Sequence, residues 1–147
     1  STSAEGDRRE ALVRASPLRA MDEISLAVPE PILDSLPDDD GAAEQDMKRA
    51  VEGWERRINR AIADTDDEEA AGYVLDAIEL FEERMDTYDA FVPELRAWGQ
   101  SPIYAICWRN LMADLIGQLY EHEELADRLD RERNQRVVED GIRLRDL

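Results

Sequence analysis

Between Ser101 and Asp140 nothing interrupts a helical pattern, and this is the longest such stretch in the chain. Ser101-Pro102 opens it. A hydroxyl can accept one of the orphan amide hydrogen bonds of a first turn, and proline at the first helical position loses nothing by lacking an N–H. From Pro102 to Tyr120 the strongly polar residues Arg109, Asn110, Asp114 and Gln118 recur at helical spacing and make one narrow stripe. Ile103, Tyr104, Ile106, Cys107, Trp108, Leu111, Met112, Leu115, Ile116 and Leu119 cover the rest of the circumference, so this segment is expected to be buried on several sides. From Glu121 the balance reverses, leaving Leu125, Ala126, Leu129, Val137 and Val138 as a thin apolar seam among charged and amide residues. One continuous helix of about forty residues would span roughly 60 Å, so its far end is expected to project or to meet a partner.

The other segments read as shorter helices feeding that one. Residues 1–40 are expected to form an irregular arm. Asp7 to Arg14 suits a short helix, Ser16-Pro17 opens PLRAMDEISLAV, and Pro29, Pro31 and Pro37 make an extended connector that lays Ile32, Leu33 and Leu36 on the body. Residues 41–147 are expected to form the bundle. Glu44 to Ala63 is amphipathic, with Met47, Val51, Trp54, Ile58 and Ile62 on one face and Arg56, Arg57 and Arg60 opposite. Thr65 with Glu68 reads as a capping box opening a helix to about Asp86, and Asp86 to Trp98 as a shorter helix with Pro93 in its first turn or at a kink. Gly99 supplies a stop. Gly53 and Gly72, inside helical patterns, are expected at close helix contacts. Short connections imply antiparallel neighbours: an all-α, up-and-down bundle of three long helices plus a short one, with a proline-rich N-terminal arm and a long C-terminal helix.

Charge narrows the function classes. The chain has 36 Asp and Glu against 18 Lys and Arg, a formal net charge of -18, and Lys48 is its only lysine. Such a surface repels nucleic acid and anionic membranes. At about 1 M salt the Debye length falls to roughly 3 Å and self-repulsion is screened. Arginine, with its bidentate fork and weaker hydration, suits a carboxylate-crowded surface. The composition resembles that of proteins from extreme halophiles such as the haloarchaea; an acidic protein from an arginine-rich, high-GC source is the alternative. A single cysteine, Cys107, allows no internal disulfide, and STSAEGDRRE lacks the apolar run of a signal peptide, so a cytoplasmic location is expected.

Few constellations carry chemistry. His122 is the only histidine, and Cys107 has no nearby base and reads as core. Arg128, Arg131, Arg133 and Arg136 alternate with acids at helical spacing, which favours intrahelical ion pairs over RNA contact. Glu79-x-x-Glu82 and Glu124-x-x-Asp127 each put two carboxylates on one helix face, where two such pairs can hold Mg²⁺ against a triphosphate. The sequence ELAD within EHEELADRL resembles the second motif of the all-α nucleoside triphosphate pyrophosphohydrolases, whose first motif is likewise Glu-x-x-Glu. That resemblance implies a Mg²⁺-dependent hydrolase using Glu79, Glu82, Glu124 and Asp127, although forty-one residues separate Glu82 from Glu124 here.

The leading expectation is a non-enzymatic, acidic interaction or adaptor protein without a cofactor. It binds a protein partner or its own copies through Leu125, Leu129, Val137 and Val138, and neither nucleic acid nor membrane. The hydrolase, a structural connector of a halophilic virus, and an acidic mimic that occupies a basic groove are the alternatives.

Overall fold

The computed structural model describes residues 16–37 and 40–145. Among them are six helices and no strand: α1 (Pro17–Ala20), α2 (Glu30–Ser35), α3 (Ala42–Asp64), α4 (Asp67–Ala97), α5 (Ile103–Tyr120) and α6 (Glu123–Arg145). The all-α bundle is as expected, but it has four long helices rather than three long and one short. The helix read at Asp7 to Arg14 lies outside the described residues.

Besides a shift of the α5 cap from Ser101 to Pro102, three boundaries of the long helices differ from the sequence reading. Thr65 does not cap α4: its hydroxyl donates back to the Ala61 carbonyl, and Asp66 accepts from the Glu69 N–H at 2.8 Å. An aspartate caps as well as a threonine, and its charge adds to that of Asp67, Glu68 and Glu69 at the positive end of the dipole. Nor does α4 stop near Asp86. It runs through Pro93, a residue that costs about 3 kcal/mol in a helix interior. Helix α5 lies alongside, with Tyr88 and Trp108 packed on the common core and Arg109 paired to Asp89 at 3.2 Å. Gly99, at φ 73°, then ends the helix as expected.

The third difference is a break. The Ser101–Asp140 stretch is two helices, because the chain turns at Glu121-His122: the Glu121 N–H reaches back to the Gly117 carbonyl, and the Ala126 N–H to that of His122. Neither proline nor glycine marks the turn. Helix α5 buries Ala105, Cys107, Leu111, Met112, Leu115 and Leu119, whereas α6 buries only Leu125 and Leu129. Reorienting the chain lets both apolar faces meet one core, and Glu123 and Glu124 complement the new N-terminus.

α4 packs on α1, α3, α5 and α6. Phe81, Met47, Ile58, Leu75, Ile78, Leu111, Leu115 and Leu119 are fully buried, and Trp54 meets Phe81 edge to face at 5.1 Å. Trp108 is half-buried against this cluster, whereas Trp98, at the α4–α5 turn, is exposed.

The arm is part of the core. Ser16 caps α1 as expected, and Leu18, Ile24, Leu26 and Ile32 are buried in the common cluster. Yet the connector expected to be extended forms α2 instead, with Pro31 in its first turn, where a missing N–H costs nothing. PLRAMDEISLAV, in turn, is helical only from Pro17 to Ala20, and residues 22–29 have no regular secondary structure. The body supplies better partners than a helix would. The side chain of Asn59 accepts from the Ile24 N–H and donates to its carbonyl, both at 2.8 Å. Gln118 does the same for Ala27 at 3.0 and 2.8 Å, and Glu55 accepts from the Leu26 N–H at 2.8 Å. Main-chain groups near a core need partners, and these side chains provide them.

Candidate functional site

Helix α6 presents two different faces. Its first turns face the bundle through Leu125 and Leu129, both 0% exposed. Further along, Arg136 continues that contact with charge. Its guanidinium lies 2.9 Å from Asp76, 3.3 Å from Glu79 and 3.6 Å from Glu132, and it donates to the Gly72 carbonyl at 3.2 Å. Burial opposes its charge, but the Asp76 hydrogen bond and the surrounding carboxylates outweigh that and hold its pKa above the usual arginine value. Arg133 reaches Glu82 at 3.8 Å. Of the arginine row read as intrahelical, Arg133 and Arg136 instead reach across to Asp76, Glu79 and Glu82 of α4, while Arg136 also keeps Glu132, four residues before it on the same helix. Gly72 does not mark a close helix contact: a Cβ there would meet the Arg136 and Glu132 side chains at 3.7 and 3.9 Å, ordinary contact distances. The nearest such neighbour of Gly53 is the Arg57 side chain of its own helix.

The apolar seam expected along α6 is not one seam, and Leu125 and Leu129 are core rather than partner surface. At about 100° per residue, Leu125, Leu129 and Arg136 fall within about 40° of one another, whereas Val138 stands about 180° from Leu129. Val137, Val138, Ile142 and Leu144 share an arc of about 160° that begins about 60° from Leu129 and runs round the far side of the helix. They are 66%, 60%, 53% and 70% exposed. Gly141 lies in the same arc, with nothing within 4 Å of where its Cβ would be. Arg143 and Arg145 offset Glu139 and Asp140, and Asp146 adds one negative charge, so this tip carries little of the chain's -18. Ile142 and Leu144 were not part of the sequence expectation; counting the helical angle from Leu129 identifies them.

The four carboxylates of the hydrolase reading do not share one site. Glu79 and Glu82 pair with Arg136 and Arg133. Glu124 and Asp127 line a surface cleft of about 430 Å³ with Asp66, Asp67, Glu68, Arg128 and Arg131. Among the described residues, no group of three His, Cys, Asp or Glu side chains is placed to hold a metal ion. His122 sits half-buried at the α5–α6 turn, beside Met21 and Asp22. Cys107 is buried within α5, and burial pushes its thiol up. None of the described helices is long and apolar enough to cross a membrane.

The profile of a family of unknown function, DUF7971, matches residues 21–146, most of the chain. The chain belongs to that family. No curated protein and no solved structure matches it. The DUF7971 span takes in both the arm segment held by Asn59 and Gln118 and the whole of α6.

Proposed function

We propose that this DUF7971 member is a non-enzymatic, acidic interaction protein adapted to concentrated salt, docking on a protein partner through the outward face of α6. The observation that carries this reading is the set of Val137, Val138, Ile142 and Leu144, which is apolar, exposed and off the face that holds α6 to the bundle, with Val138 on its far side. Stable interfaces bury about 800 Å² per partner, more than four side chains on one helix offer to a second helix of the same kind. A helix of this pattern is instead suited to a groove on another protein. The small net charge of the tip supports the same choice, since it is a part of the chain that can approach another acidic surface without strong repulsion. The net charge and the arginine excess support the high-salt setting and, with it, a cytoplasmic one.

The test compares wild-type protein with Val138→Glu/Ile142→Glu as bait in a native lysate in molar KCl, with Arg56→Glu on the far helix α3 as control. A partner retained by wild type and the control but lost from the stripe variant supports the reading. Identical partners on all three baits would reject it. Separately, circular dichroism is expected to show helix loss on dialysis to low salt; full retention would remove the high-salt part.

A further inference from the structure

The arm is bound as a peptide ligand is bound. Every hydrogen bond that fixes Ile24, Leu26 and Ala27 joins arm main chain to a side chain of the body, and the buried contacts beside them come from alternate residues, Ile24 and Leu26, with Ser25 and Ala27 exposed. Asn59 and Gln118 each grip one residue by both its N–H and its carbonyl, as a neighbouring strand would. Such a grip is indifferent to how the arm is joined to the body. The joint itself is unusual. Asp40, at φ 63°, is the only non-glycine residue with positive φ among those described; Gly41 follows at φ 77° and starts α3 without a side-chain cap. Two successive residues at positive φ thus stand directly before α3, and an L-residue holds that conformation at a cost.

We propose that the arm is exchanged between copies: residues 16–37 of one chain pack across α3, α4, α5 and α6 of a second chain, with residues 24–27 in the groove between its α3 and α5, and the reverse, with Asp40 and Gly41 as the hinge. Every arm contact of the single chain is reproduced in the pair, while straightening the hinge relieves its left-handed turn; strained hinges of this kind favour exchange. The occupant is a second copy because the groove stays filled only by an arm carrying Leu18, Ile24, Leu26 and Ile32 in register with Asn59, Glu55 and Gln118. Two chains of -18 repel each other, so exchange grows with salt as well as with protein concentration.

A disulfide trap tests this. Ala27→Cys and Gln118→Cys combined in one chain put both thiols where the Gln118 amide meets the Ala27 main chain, and closure within that chain is the positive control. The two single variants, mixed as folded full-length chains in molar KCl under mild oxidation, are expected to give a covalent dimer linked through positions 27 and 118. Asp40→Gly, which removes the cost of the left-handed hinge, lowers the yield several-fold; Asp40→Val, which raises that cost, increases it several-fold. A double variant that closes while the mixture gives no covalent dimer, or a yield indifferent to residue 40, overturns the proposal. If the double variant does not close, light scattering of Asp40→Val decides. A dimer that grows with concentration supports exchange, and a monomer throughout overturns it.

Discussion

Removing the charge of Arg136 tests how the second half of α6 is held. Its side chain is 29% exposed; Asp76 and Glu79 are 68% and 57% exposed, and Glu132 only 17%. Pairs with the two exposed acids are worth at most about 0.5 kcal/mol each. Glu132 is different, because losing its cation leaves a mostly buried carboxylate without compensation, at about 1 kcal/mol. Arg136→Met keeps the apolar stem over Gly72 and should therefore cost about 2 kcal/mol in total, against the 2–5 kcal/mol typical of a buried Leu→Ala change such as Leu129→Ala. Urea is the denaturant of choice, since guanidinium is itself a salt. Hydrogen exchange supplies a local reading: amides from about Asp130 onward should exchange faster in the variant, with those of α3 unchanged.

The salt dependence sharpens this test. Raising KCl screens the overall repulsion of a -18 chain, so wild-type stability should rise. The same salt weakens the Arg136 pairs, so the penalty for Arg136→Met should shrink as the wild type gains. A penalty under about 0.5 kcal/mol at every salt concentration would refute the reasoning, leaving Leu125 and Leu129 as the sole anchors of α6. A penalty that grows with salt would refute the charge account of it.

Three further outcomes follow from the geometry. Asn59→Ala strips both partners from Ile24 and should cost about 2–3 kcal/mol in urea unfolding, with Asn59→Asp, which keeps the acceptor, losing less. Gly72→Ala should stabilise by about 0.5–1 kcal/mol, since its φ is ordinary and the added methyl meets only flexible side-chain ends; a loss would mean that Arg136 cannot adjust. Burial raises the Cys107 thiol above 9.0 and the Tyr120 phenol above 10.0, the latter with Asp130 and Glu82 adding and Arg133 opposing. Both groups keep their protons longer folded than unfolded, so their contribution is fully present below about pH 9 and is lost as pH rises through the folded values. A urea midpoint that rises between pH 9 and 11 would contradict this, as would fast maleimide labelling of native Cys107.

Helix α5 was legible because one narrow polar stripe on an otherwise apolar cylinder has a single packing solution. Helix α3 was legible for the related reason that its charged and apolar faces separate cleanly. The turn at Glu121-His122 was written only as a change of polarity; periodicity continues across it, and nothing local breaks a helix there. The clamp on the arm was not legible. Asn59 and Gln118 matter because folding brings them to Ile24 and Ala27, 35 and 91 residues away in the chain. Arg133 and Arg136 were misread in part for the same reason: beside the intrahelical Glu132, their partners lie on α4, fifty-seven residues distant in the case of Glu79.

The α6 seam failed differently, and that failure yields the most direct check on the proposed function. Apolar residues four apart drift by about 40° per step, so a line drawn from Leu125 through Leu129 to Val137 has already left the buried face, and Val138 lies on the far side altogether. A helix can thus carry two apolar faces in series, one used by the fold and one free. Leu129→Glu puts a charge into a fully buried position and should abolish cooperative folding. Val138→Glu, nine residues on, should leave the urea midpoint within about 0.5 kcal/mol of wild type, as exposed substitutions do. If Val138→Glu destabilised the chain by 2 kcal/mol or more, the stripe would belong to the fold, no face of α6 would be left for a partner, and the interaction reading would lose the observation it stands on.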